Sequence, residues 1–376
     1  MSNGKIYSIL VKPSSADCNL RCTYCFYRRP LDPYKDRQRP RMNDEVLSAL
    51  IEQFLQMNWR GAGFSWQGGE PTLMGIDFFK KVTDLQMKYG SPGQQVGNAI
   101  QTNGVLLNDE WARFLGRYKF LAGISLDGPE HIHDHYRGKG TFQKVMNAIR
   151  LLRAHKVEFN TLTVVNDITS EKVDEVFDFL HGNDFFYLQF IPCVERDLET
   201  GEITPFSVKT SQYEKFLCRA FDRWYGKGRP YFSVRLFDNV LQAYLGMEAE
   251  ACEFRKACGD YVVVEYNGDV YPCDHLVFKE WYMGNMLETP LEKIVCGEIA
   301  QKFNTLKPAK DKRCSKCRWN FICNHGCPRY RFPYPDRPSE KHYLCEAYEK
   351  FFRYSEKKFR KLAARLRSEG KAPLQT

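Results

Sequence analysis

The chain has 376 residues, 43% of them hydrophobic and 27% charged, with a formal net charge of +9. That is the composition of an ordinary globular protein, long enough for one large domain and a smaller one, and it excludes a disordered or fibrous chain. No apolar run of about 18 residues is present to span a bilayer, and no N-terminal apolar segment precedes a cleavage site. Neither a membrane protein nor a secreted one is therefore expected, and the expected location is cytoplasmic. The positive charge gathers in residues 28–41 and 357–371; each run reads as a solvated face, and no nucleic-acid partner is expected.

In chain order, residues 6–12 read as a first strand ended by Pro13. Next comes Cys18-Asn-Leu-Arg-Cys22-Thr-Tyr-Cys25, a C-x3-C-x2-C loop. Thiolate-only sites suit zinc or iron–sulfur clusters, usually with four ligands. Three local sulfurs leave either one iron of a cubane open to another ligand or a zinc knuckle completed by a distant fourth. Residues 28–42 are rich in Arg, Pro and Asp and read as a long exposed loop. Asn43 then opens a helix whose Val46, Leu47, Leu50, Ile51, Phe54 and Leu55 share one face. Strands at 63–67, 98–101, 120–126, 159–165 and 186–191 alternate with helices at 76–89, 109–116, 142–155 and 170–181, predicting about six β-then-α units and a parallel sheet with helices outside it. Helices at 211–225 and 237–245 lead to a hairpin at 261–272, turned by Asn267-Gly268 as type I′. A basic amphipathic helix at 342–366 is expected to cover the protein body rather than a membrane surface.

The polar motifs sit just after strand ends, where α/β folds place their chemistry. In Gln67-Gly68-Gly69-Glu70-Pro71-Thr72 the glycines let backbone approach a ligand closely, and Glu70 can accept from an ammonium group. Gln101-Thr102-Asn103-Gly104 and Ser125-Leu126-Asp127-Gly128-Pro129 end the next strands. His131, His133 and His135 lack a common helical face and read as structural or solvated. Of fourteen cysteines ten follow position 217, and without a secretory signal metal ligation is their default use. Cys252, Cys258, Cys273, Cys314, Cys317, Cys323, Cys327 and Cys345 supply eight thiolates, enough for two 4Fe-4S clusters or two zinc sites. The remaining Cys193, Cys218 and Cys296 read as buried small hydrophobes. Asp274, directly after Cys273, is open between a surface acid, a solvated cap and a general base.

Together these motifs resemble a known family. The cysteine loop followed by Gly68-Gly69-Glu70-Pro71 resembles radical S-adenosylmethionine enzymes, and the C-terminal cysteine ladder resembles a SPASM domain. From Ile6 to Tyr354 the chain resembles the anaerobic sulfatase-maturating enzymes, through Cys18 to Tyr27, Gln67 to Thr72, Gln101 to Gly104, Ser125 to Pro129, Tyr271 to Asp274 and the ladder. The resemblance implies an α/β fold: a partial (β/α)6 radical S-adenosylmethionine barrel over residues 1–205, a helical connector over 206–250, a SPASM domain with two auxiliary clusters over 251–350, and a basic helix and tail over 351–376. It implies three 4Fe-4S clusters. Cys18, Cys22 and Cys25 hold the one that binds S-adenosylmethionine; Cys252, Cys258, Cys273 and Cys327 hold the first auxiliary cluster, and Cys314, Cys317, Cys323 and Cys345 the second.

Contacts to S-adenosylmethionine fall by the same resemblance to Tyr24, Gly69, Glu70, Ser125, Arg137 and Val194: the Gly-Gly-Glu motif to the methionyl amine, Ser125 and Arg137 to the carboxylate, Val194 to adenine. Gln67 and Tyr27 contact the peptide, and Asp274 takes the proton of the target thiol or hydroxyl. The implied reaction converts a Cys or Ser in a sulfatase Cys/Ser-x-Pro-x-Arg motif to Cα-formylglycine in anaerobic or well-reduced surroundings. Its implied partners are an unfolded or nascent sulfatase chain and a reducing donor such as flavodoxin or ferredoxin. Two other readings stand beside it. One is a SPASM-type enzyme forming thioether or carbon–carbon links in a small peptide; such enzymes often carry an N-terminal peptide-binding domain, for which a loop beginning at Cys18 leaves no room. The other is a zinc-stabilised nucleic-acid-binding protein, which would be colourless where three filled clusters give a brown protein with about twelve irons.

Overall fold

The computed structural model describes residues 6–28, 33–34, 37–58, 60–197, 200–307, 312–331 and 342–371. They form two compact units interleaved along the chain: residues 1–125, 134–159 and 259–304 make the first, and 126–133, 160–258 and 305–376 the second. The strands are β1 (Ser8–Lys12), β2 (Gly61–Trp66), β3 (Gln95–Thr102), β4 (Leu121–Ser125) and β5 (Phe159–Val165). They continue with β6 (Tyr187–Pro192), β7 (Ser233–Val234), β8 (Tyr261–Glu265), β9 (Asp269–Tyr271) and β10 (Gly284–Asn285).

In the first unit β1, β2, β3 and β4 lie side by side and parallel. Between them run α1 (Asp44–Met57), α2 (Ile76–Tyr89) and α3 (Asp109–Arg117), with α4 (Glu130–Arg137) and α5 (Thr141–Ala154) following β4. The Asn43 carboxamide caps α1 by accepting from Val46 N at 2.9 Å, and the six residues of the expected apolar face are all buried. β2 alternates as a half-buried strand should: Ala62, Phe64 and Trp66 pack under the helices, with Phe64 5.1 Å from Phe54 and Trp66 5.6 Å from Phe79, while Gly61, Gly63 and Ser65 keep the opposite face shallow.

The free edge of β1 is taken by β8, parallel, from Ser8 opposite Tyr261 to Lys12 opposite Glu265. The hairpin between Cys258 and Cys273 therefore extends the first sheet, and β9 and β10 continue it antiparallel. At its end the Lys12 ammonium meets the Glu265 carboxylate at 2.5 Å, with 1% and 0% of the two side chains exposed. The hairpin turn differs from type I′: Gly268 N donates to Glu265 O, and within the turn only Gly268 takes a positive φ, +90°. Asn267 instead spends its side chain on Asp269, 2.7 Å away.

In the second unit β5, β6 and β7 are parallel. The helix expected at 170–181 is broken at Lys172 into α6 (Asp167–Glu171) and α7 (Val173–Gly182). Then come α8 (Thr210–Tyr225), α9 (Arg235–Tyr244) and the C-terminal helix Cys345–Ser368. That last helix buries Phe351, Phe352, Phe359 and Leu362, and Phe359 lies 4.8 Å from Phe221 of α8, so its apolar face is spent on the unit's own core. Among the described residues no helix is long and apolar enough to cross a membrane. Of the expected 28–42 loop, residues 29–32 and 35–36 lie outside the described residues. Tyr34 is buried rather than exposed, its hydroxyl 2.6 Å from Asp269 and 2.9 Å from that of Tyr271.

The Lys12–Glu265 pair yields a stability prediction. Removing one partner strands a buried charge, so Lys12→Met or Glu265→Leu should each cost about 3–5 kcal/mol, whereas the double variant should lose far less. Thermal denaturation of the three variants checks this; additive losses in the double variant would contradict it.

Candidate active site

The cysteine loop leaves β1 at Pro13 and is held from beneath by the Gly-Gly segment that ends β2. Gly69 N donates to Ser15 O at 2.7 Å and Glu70 N to Asp17 O at 2.8 Å. A Cβ on Gly69 would lie 2.0 Å from Asp17 O, and one on Gly68, whose φ is +122°, 2.6 Å from Ser15 O. Both glycines are required here by close passage against the loop's own backbone. The far side of the loop is tied to α4, where Thr23 N donates to Tyr136 O. Tyr24 is buried with its ring 5.3 Å from that of Tyr136, and the Arg137 guanidinium stands 5.5 Å over Tyr24.

Within the loop Leu20 N donates to Cys18 Sγ at 3.3 Å, and Asn103 Nδ2 lies 3.6 Å from the same sulfur. Burial pushes the Cys18 thiol up to about 12, with Glu70, Cys22 and Cys25 adding in the same direction. Cys25 is raised by burial first and drawn back by the Tyr27 backbone N–H, Arg137 and Arg28. Among the described residues no three His, Cys, Asp or Glu side chains converge on a single ion-sized point. What the loop offers is three soft sulfur donors within eight residues, close enough to feel one another's charge, which a multi-iron cluster with thiolate ligands fits.

Glu70 is fully buried. Its Oε1 accepts from Thr72 N (3.0 Å), Thr72 Oγ1 (2.6 Å) and Thr102 Oγ1 (2.7 Å), and its Oε2 from Asn103 N (2.7 Å). Burial raises its pKa against these donors, and the carboxylate thereby joins the ends of β2 and β3. Ser125 ends β4 half-buried, its hydroxyl accepting from Gln101 Nε2 at 3.3 Å. Val194 belongs to the second unit, buried after β6.

Three further residues from distant segments meet. Tyr27 donates its hydroxyl hydrogen to Asp274 Oδ2 at 2.8 Å, and Gln67 Nε2 lies 3.2 Å from that oxygen and 3.0 Å from Tyr27 OH. Burial and the adjacent Asp274 carboxylate push the Tyr27 phenol well up. A cavity of about 20 Å³ is lined here by Lys12, Phe26, Tyr27, Asp274, His275, Val277 and Phe278, and Lys12 Nζ stands 5.0 Å over the Tyr27 ring. Lys12 and Glu265 were not singled out from the sequence. Their signal is a charged residue closing an otherwise apolar strand, Ile-Leu-Val-Lys and Val-Val-Val-Glu, which calls for a buried partner.

In the second unit Cys323 is pushed to about 12 by burial and then by Cys345, Cys314 and Cys317; Cys252, also near 12, feels burial and then Cys327. Cys258 lies half-buried in the same unit, while Cys273 follows β9 in the first, its sulfur 3.6 Å from Tyr261 OH. Of the three surplus cysteines only Cys193 is buried; Cys218 is half-buried and Cys296 exposed on the surface turn after Ile294, which corrects the expectation of three core thiols. His133 is buried with Nδ1 accepting from Asp127 N, and His131 pairs with Glu175 at 3.0 Å, so these two histidines of α4 are used locally.

Residues 13–180 match the Radical SAM superfamily, and residues 252–318 match SPASM, described as an iron-sulfur cluster-binding domain. A serine-type anaerobic sulfatase-maturating enzyme of Bacteroides thetaiotaomicron is 37% identical over 92% of this chain and 88% of its own length. A cysteine-type enzyme of Clostridium perfringens is 38% identical over 93% and 96%. The solved structure described as native anSMEcpe with bound AdoMet and Cp18Cys peptide superposes with a TM-score of 0.88 at 36% identity, covering 96% of this chain and all of that one. The expected fold class holds, an α/β radical S-adenosylmethionine fold joined to a SPASM domain, and the chain belongs to the anaerobic sulfatase-maturating enzymes.

Proposed function

We propose that this enzyme oxidises a Cys or Ser in a Cys/Ser-x-Pro-x-Arg segment of an unfolded or nascent sulfatase to Cα-formylglycine, with Asp274 as the base. The observation that carries the role of Asp274 is its hydrogen bonding to Tyr27 and Gln67, 247 and 207 residues away in sequence, at a small cavity that Tyr27 and Asp274 both line. When bound, S-adenosylmethionine on the Cys18, Cys22 and Cys25 cluster supplies hydrogen-atom abstraction from the target Cβ, and the ladder clusters supply an acceptor for the second electron.

The chain's own residues supply the rest. The target's S–H or O–H proton goes to the Asp274 carboxylate; a Ser target is then already the aldehyde, whereas a Cys target is a thioaldehyde that water hydrolyses to the aldehyde with release of hydrogen sulfide. Tyr27 and Gln67 reach Oδ2 from two directions and fix the carboxylate's orientation. The Tyr27 phenol, raised by burial, keeps its proton and acts as donor rather than as a competing base. Phe26, Val277 and Phe278 wall the cavity and keep bulk water from the reacting atom. Arg137 over Tyr24, with Ser125, offers the fork and hydroxyl that suit a methionyl carboxylate; Gly69 and Glu70 belong to the amine side, and Val194 to adenine. Glu70 has its Oε1 accepting from three donors and its Oε2 from Asn103 N alone, so Oε2 is the oxygen left to accept from the amine. A reducing flavodoxin or ferredoxin as electron donor and a cytoplasmic setting complete this reading. The allotment of the ladder cysteines to two auxiliary clusters belongs to it as well.

Serine-type and cysteine-type relatives are equally similar, so one base serving a thiol or a hydroxyl is the simplest account. Asp274→Asn should lower aldehyde formation on a target peptide by about 100-fold or more while 5′-deoxyadenosine is still released. An unchanged rate would remove Asp274 from the mechanism. Gly69→Ala, which drives a Cβ into Asp17 O, should reduce iron held by the N-terminal loop, read as loss of the S-adenosylmethionine-sensitive electron paramagnetic resonance signal. Full iron and an intact signal would contradict the packing role given to Gly69.

A further inference from the structure

Two cations of the second unit are buried and bond only to backbone. Lys307 is 0% exposed and Arg331 2%. Lys307 Nζ donates to Cys252 O at 2.6 Å and Glu253 O at 2.8 Å. Arg331 donates to Leu306 O (3.1 Å), Lys307 O (3.0 Å) and His325 O (2.6 Å). All five acceptors are neutral backbone carbonyls, and among the described residues no carboxylate lies within ion-pair reach of either cation. A buried charge without a counter-ion costs several kcal/mol, so a fold that keeps two of them side by side must meet them with negative charge from another source.

The neighbours narrow that source. His342, buried beside them, is held neutral, its pKa pushed down to about 3 by burial and then by Arg331 and Lys307. The hydrogen bonds themselves place both cations against the ladder: Lys307 donates to the backbone of Cys252, and Arg331 to that of His325, which lies between Cys323 and Cys327. The groups that most hold the Lys307 charge against its burial are Cys258, Cys327 and Cys252; for Arg331 they are Cys314, Cys327, Cys258 and Cys323. All of them belong to the ladder.

We propose that Lys307 and Arg331 are the built-in counter-charge of the auxiliary iron–sulfur clusters and raise their reduction potentials, so that these clusters can take the electron released as the target residue is oxidised. The proposal rests on the reading of the ladder as iron–sulfur ligands. In the balanced step the target gives up one hydrogen atom, one proton and one electron; the hydrogen atom goes to the deoxyadenosyl carbon, the proton to Asp274 and the electron to a cluster. Taking up that electron would add one unit of negative charge among the ladder sulfurs. Fixed cations beside a cluster's ligands favour its reduced form, because net charge and hydrogen bonding set cluster potentials. Lys307 touches the backbone of Cys252 and so acts mainly on the first auxiliary site; Arg331, near sulfurs of both sets, acts on both.

The test is a redox titration of the anaerobically reconstituted holoenzyme followed by electron paramagnetic resonance, with the N-terminal cluster as internal control. In Lys307→Gln, which keeps a donor but loses the charge, the reduced-to-oxidised ratio of an auxiliary cluster at the wild-type midpoint should fall about tenfold, 59 mV for one electron. Lys307→Arg should stay near wild type, and the N-terminal cluster should not move in either variant. A Lys307→Gln protein with full iron and an unchanged auxiliary potential overturns the proposal. Should Lys307→Gln fail to hold iron, Lys307→Arg decides: retained iron supports a need for charge at this position, and lost iron assigns Lys307 to packing and overturns it. A wild-type enzyme with only the N-terminal cluster would overturn the ladder reading itself, and iron content distinguishes that failure from the others.

Discussion

The parallel pairing of β8 with β1 is the contact on which the rest of the first unit depends. It carries the hairpin to the edge of the strand that launches the cysteine loop, and the buried Lys12–Glu265 pair closes the last rung. A one-residue slip of β8 against β1 would turn one of the two charges to the other face and split the pair, so the pair also works as a register lock. Because the register is held, Asp274, just beyond β9, arrives beside Tyr27, 247 residues away in sequence. Asp274 and the cysteine loop thus follow two strands of one sheet, β9 and β1, with β8 between them, and their placement rests on the backbone hydrogen bonds of that sheet.

A second theme is charge compensation. Desolvation and mutual repulsion push the thiols of Cys18, Cys252 and Cys323 up, and binding iron as thiolates must overcome that. Each sulfur-rich region has fixed cations at hand: Arg137 and Arg28 by Cys25, Lys307 and Arg331 by the ladder. Glu70 shows the reverse economy. Its buried carboxylate accepts from four neutral donors and joins the ends of two strands.

Features local in sequence were legible: the capped α1 with its six buried residues, the cysteine loop after β1 and the polar motifs after strand ends. Features set by distant pairing were not. No periodicity says that β8 adds beside β1, so the Lys12–Glu265 pair and the Tyr34 contacts to Asp269 and Tyr271 stay hidden until the sheet is seen. α4 was missed because Glu130-His-Ile-His-Asp-His-Tyr-Arg137 is polar apart from Ile132 and Tyr136, too few to declare a helical face. The hairpin turn was misread because Asn-Gly favours type I′ by propensity, whereas here the Asn267–Asp269 contact holds a longer turn. Glu70 shows what coordinates add to motif reasoning: its Oε1 accepts from three donors and its Oε2 from Asn103 N, a tie between β2 and β3 that the motif does not announce.

The central claim is that the cofactor chemistry of this fold is turned on a sulfatase side chain. The direct measurement is anaerobic reconstitution with S-adenosylmethionine and reductant, followed by incubation with peptides bearing Cys-x-Pro-x-Arg or Ser-x-Pro-x-Arg and mass analysis. The account predicts aldehyde on at least one peptide together with 5′-deoxyadenosine; release of 5′-deoxyadenosine with no aldehyde on either would contradict it.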